Sequence, residues 1–157
     1  MKLSRQAESL LDAMARDHGL KKLALDQDGL IPINLGPDLD IAIAFSEANN
    51  SFYLMGILDV QGAAALDPWW AFTHNQTLSD RRTRVAIEPT SGSLVLVRDL
   101  FLNGLEYWQF SETLDQFVGD LEAAIGLLRT EAATEEAAPD PSDPMQAPAD
   151  DAVILRL

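Results

Sequence analysis

The sequence predicts an α+β domain in which an antiparallel sheet is covered by helices, in the order α-β-β-β-α-β-β-α. Two observations carry this prediction. Apolar stripes at helical spacing stand near both ends of residues 1–130, and between them lie short alternating or wholly apolar runs punctuated by Gly, Pro, Asn and Asp. A chain of 157 residues supports one domain with a substantial core and is too short for two of ordinary size.

Over residues 4–18, Ala7, Leu10, Leu11 and Met14 form one helical stripe, with Ser4 placed as N-cap and Gly19 just past the C-cap. Leu23 and Leu25 then alternate, and Asp26-Gln27-Asp28-Gly29 supplies turn chemistry before the extended run Leu30-Ile31-Pro32-Ile33. Pro32 cannot donate to a ladder, which places its strand at an edge or makes it irregular. Gly36-Pro37 breaks that run. Ile41, Ile43 and Phe45 alternate with alanines in the next strand, and a turn at Glu47-Ala48-Asn49-Asn50 leads into residues 52–58, apolar on both faces. An antiparallel strand with one face in water should alternate, so this one is covered on both sides.

Asp67-Pro68 has the form of a helix start and predicts a short helix from Trp69 to about Gln76. A hairpin follows, with strands at 84–88 and 94–97 around Pro89-Thr90-Ser91-Gly92, and with Val85 and Ile87 on one face. The last helix shows the stripe Leu114, Phe117, Val118, Leu121, Ile125 and Leu128, with Thr113 and Gln116 as a capping box and Ser111 as an alternative cap.

Residues 131–157 hold seven acids and one base, about −6 of the total −14, together with four prolines. Such a composition cannot pack a core, so a disordered acidic tail is expected there, following a domain of residues 1–130. The apolar residues Val153, Ile154, Leu155 and Leu157 close it.

Charge and composition exclude whole classes of function. A net charge of −14 with a pI near 4.2 repels phosphate backbones and anionic lipid, so neither nucleic-acid nor membrane-surface binding is expected. The chain contains no cysteine, which removes thiolate nucleophiles, disulfides and Cys-based metal sites. No apolar run reaches the ~20 residues of a membrane span, and Lys2 and Arg5 precede no signal-like apolar region. A cytoplasmic protein is expected.

Catalytic motifs are lacking as well. His18 and His74 stand near helix ends without a nucleophile or acid at motif spacing, so favourable helix-dipole contacts explain them better than catalysis. Asp26-x-Asp28-Gly29 resembles the start of a calcium loop, but Leu30-Ile31-Pro32 follows where further ligands belong, and a hairpin turn is the better reading. Trp69, Trp70 and Phe72 fit a core or subunit interface better than a ligand-stacking site. Apolar residues remain on the outer sheet face after the helices are placed, and a domain of this size rarely exposes a large apolar patch without a partner. Self-association as a symmetric dimer, together with capture of another chain, accounts for that surplus.

This layout resembles the class I type III secretion chaperones, the Tir-chaperone family of Gram-negative bacteria. The resemblance spans residues 1 to about 130. It rests on the first helix ending at His18-Gly19-Leu20, the segment Leu23-Ala-Leu-Asp-Gln-Asp-Gly-Leu-Ile-Pro-Ile-Asn and the strands at 41–45 and 52–58. A helix ending near Asn75, the hairpin Ser91-Gly92-Ser93-Leu94-Val95-Leu96 and the last amphipathic helix complete it. It implies a homodimer that binds the N-terminal region of a secreted effector in extended form, without a cofactor, a metal or catalysis. Carried onto this sequence, it implies client contacts at Leu10, Leu11, Met14, Leu23, Leu25, Ile31 and Ile33, and a dimer surface around Ile57, Trp69, Trp70 and Phe72. The sequence departs from the family where Trp69 to His74 replaces a leucine-rich stretch, and the details of the dimer contact do not carry over from the resemblance. Two rivals stand beside this reading. One is an adaptor of the same fold without a secretion role. The other is an enzyme or small-ligand domain, which requires a closed polar pocket, and only Asp26, Asp28, Asp38 and Asp40 offer an acidic cluster for it.

Overall fold

The first helix, α1 (Arg5–Asp17), begins where its cap places it: Ser4 is extended, and its hydroxyl accepts from the Ala7 N–H at 3.2 Å. Gly19, at φ +66°, ends the helix in the left-handed conformation that glycine adopts without strain. The computed structural model describes residues 2–36, 39–58, 74–75, 82–88 and 92–136, with side chains as far as residue 130.

Five antiparallel strands follow: β1 (Leu30–Gly36), β2 (Leu39–Ser46), β3 (Ser51–Ile57), β4 (Thr83–Ile87) and β5 (Leu94–Phe101). They lie in the order β1-β2-β3-β5-β4, so β1 with its proline is an edge strand. Segment 22–25 forms no strand, although Leu23 and Leu25 pack against the core. The turn after it is built by Asp26, whose Oδ1 accepts from the backbone N–H groups of Asp28 and Leu30 at 2.9 and 2.8 Å. Asp26→Ala is therefore expected to cost about 1 kcal/mol, read as a lower urea midpoint at an unchanged m-value. At the β2–β3 turn Asn50 takes φ 45°, a conformation asparagine tolerates better than most residues.

Register sorts the sheet into two faces. Ile31, Ile43 and Leu54 align across three strands, as do Phe45, Phe52 and Leu100, and Val85 pairs with Leu96 on the same side. This face receives the helices and forms the core together with Leu10 and Leu11. Gly56 belongs to it, and a Cβ there would lie 2.5 Å from the buried Leu121, so the close helix–sheet approach requires glycine. On the opposite face Val95 and Val97 are buried and Ile57 is 50% exposed. At the far edge, the Asn75 side chain donates to the Val85 carbonyl at 2.9 Å and accepts from the Val85 N–H at 2.6 Å, as a neighbouring strand would. His74 and Asn75 are helical, while the rest of the expected middle helix, with Trp69, Trp70 and Phe72, lies outside the described residues.

The last helix, α2 (Tyr107–Glu136), corrects the sequence reading at both ends. Thr113 and Gln116 lie inside it and form no cap. Its start is set instead by Gly104 at φ +74° and by Gln109, whose Oε1 accepts from the Glu106 N–H at 3.0 Å, the glutamine half of a capping box. The helix also runs six residues past the expected boundary at 130. Glu131-Ala132-Ala133-Thr134-Glu135-Glu136 is rich in helix formers, and the first breaker is Pro139. The Gln6 side chain of α1 donates to the Leu105 carbonyl just before α2 at 3.2 Å, and the two helices themselves meet through Tyr107 and Asp17.

Candidate binding groove

Where α1 ends, its last turn faces the first half of α2, and both stand over the edge of the sheet at β1. A groove of about 640 Å³ opens there. Met14 comes from α1, Ile33 and Leu35 from β1, Leu39 from β2, and Phe110, Leu114 and Val118 from α2. Leu20 and Leu23 enter from the connecting segment. Leu20 is 49% exposed and Leu35 47%, a large apolar surface left to water at the mouth.

The groove is braced across its end by the Tyr107 hydroxyl, which donates to Asp17 at 2.8 Å. Burial first, then the hydrogen bond and charge of Asp17, raise the Tyr107 pKa above its ordinary 10.0. The folded value exceeds the unfolded one, so this stabilisation is complete below the unfolded value and is lost as pH climbs through the folded one. In a Tyr53→Phe background, an absorbance titration should find the Tyr107 midpoint above 10.0, falling part of the way back in Asp17→Asn.

A second cavity of about 460 Å³ lies on the other side of segment 22–25, between Leu11 of α1 and Leu25, with Lys2, Lys22, Glu8 and Asp12 around it. Leu23 lines both cavities and joins them.

Of the expected client-contact residues, Met14, Leu23 and Ile33 line the first groove, and Leu11, Leu23 and Leu25 line the second. Leu10 and Ile31 line neither cavity and belong to the core at 4% and 2% exposure, although Met14 and Leu11, which do line them, are equally buried. Sequence reasoning missed Leu20, Leu35, Leu39, Tyr107 and Phe110, and saw Leu114 and Val118 only as core. The available signal was Leu20 and Leu35, apolar residues next to glycine breaks, where no regular stripe needs them.

Among the described residues, the acidic cluster required by an enzymatic reading does not assemble. Asp26 is committed to its turn before β1, whereas Asp40 accepts from Asn34 at 2.6 Å near the opposite end of that strand. Asp38 lies outside the described residues. Among the described residues no group of His, Cys, Asp or Glu is arranged to hold a metal ion, and no helix is long and apolar enough to cross a membrane.

No protein-family model matches the sequence, and no curated protein is similar to it. Solved structures do match. The ExsC–ExsE complex contains a chain that superposes with a TM-score of 0.69 at 17% identity, covering 82% of this chain and 97% of that one. The HopA1–SchA chaperone–effector complex gives 0.65 at 12% identity, over 77% and 94%. The Yersinia pestis type III secretion chaperone SycH in complex with a stable fragment of YscM2 gives 0.55 at 14% identity, over 74% and 98%. The architecture is thus the α+β fold of type III secretion chaperones.

Proposed function

We propose that this protein is a type III secretion chaperone of the bacterial cytoplasm that holds the N-terminal region of a secreted effector in extended form and keeps it soluble and competent for export. The observation that carries this reading is the open apolar groove beside an edge strand, on a fold shared with chaperone–effector complexes. An extended client adds along β1 through its backbone and sets alternate apolar side chains into the groove. Apolar burial at ~25 cal/mol per Å² offsets the entropy lost in ordering the client. No chemistry is performed, so no cofactor is needed.

The working unit is a homodimer. We infer an interface that uses Ile57, half-exposed on the outer sheet face, and, from the sequence resemblance alone, Trp69, Trp70 and Phe72, closed by two-fold symmetry. The test is co-expression with secreted proteins encoded nearby, followed by purification of the complex. A stable complex that is lost when the client's N-terminal region is deleted supports the reading. Binding that survives this deletion contradicts it.

A further inference from the structure

We propose, resting on the reading above, that the first groove selects client segments by charge: its ligand is an extended stretch whose apolar anchors are flanked by lysine or arginine. Among the described residues, the ionisable side chains lining the cavity are Asp17, Asp115, Glu122, Tyr107 and His18, with no lysine or arginine. Asp115 and Glu122 are exposed, whereas Val118, between them on the helix, is half-buried and Leu114, just before Asp115, is buried. That order places carboxylates at the lip and aliphatic carbon on the floor.

Spacing fits the same ligand. Positions 115 and 122 are two helical turns apart, about 10 Å along α2, and an extended chain covers that distance in about three residues. Alternate residues of an extended chain share a face, so basic residues two positions either side of an apolar anchor stand about 13 Å apart, and their long, flexible side chains reach both carboxylates. Asp17, held by Tyr107, stands on the α1 side of the same mouth. The adjoining cavity differs, because Lys2 and Lys22 balance Glu8 and Asp12 there. Selection by sign thus belongs to the first groove, and apolar anchoring to both.

Two fluorescein-labelled peptides sharing one leucine–isoleucine core, one flanked by lysines and one by glutamates, test this by anisotropy against the full chain. The lysine peptide should bind about tenfold more tightly at low salt, as expected for a few surface charge pairs, and the gap should close as salt is raised. Asp115→Lys/Glu122→Lys should reverse the preference. Glu47→Lys/Glu112→Lys, with the same charge change at exposed positions outside the groove, should leave it in place. Equal, salt-insensitive binding of both peptides overturns charge selection while leaving the groove as a client site. A preference reversed equally by both double variants assigns selection to overall charge and overturns the role of the rim. Binding of neither peptide removes the groove reading itself and the proposal with it.

Discussion

Phe52→Ala is expected to remove about 3–5 kcal/mol of stability, a large part of what a domain of this size possesses. Phe52 is fully buried on the central strand β3 and packs against rings of both layers. Its ring meets Phe45 edge-on at 6.0 Å within the sheet and Phe110 at 5.9 Å on α2. Truncation leaves a cavity under the first turns of that helix, which also wall the groove. Urea unfolding should give a midpoint lowered accordingly. A loss below about 1 kcal/mol would mean that the helix packs on the sheet independently of this ring.

The second large effect concerns binding and spares the fold. Leu23 is half-buried, lies in a segment without regular structure and lines both cavities. Leu23→Asp places a charge between the two cavities, on the path proposed for an extended client. Client affinity should fall by about 2–4 kcal/mol, on the order of 10²-fold, as for a central interface anchor. Stability should fall by about 1–2 kcal/mol, less than the loss in binding, because Leu23 is half-buried and packs on the core from its outside. A variant that binds as well as the parent would place the client elsewhere.

The parts legible in the sequence are those set by local chemistry. Ser4 and Gly19 bound α1, Asp26 makes its turn and Pro32 marks an edge strand, because each acts on neighbours within a few residues. The start of α2 was illegible for a related reason. Its cap comes from glutamine at position 109 and its first turn is aromatic, so Thr113-x-x-Gln116 offered a stronger local signal at the wrong place. The groove is a tertiary object: Asp17 and Tyr107, ninety residues apart, meet only after both helices settle on the sheet. Periodicity marked Leu10 and Ile31 as apolar, but could not tell that they point into the core while Leu20 and Leu35 face water.

Amide hydrogen exchange on a purified client complex probes the groove most directly. Slowed exchange is expected along β1 and across residues 20–25, together with protection of one short client segment that is unprotected when free. Unchanged exchange at β1 and the groove, with protection confined to another surface, would contradict the idea that this cleft grips an unfolded chain.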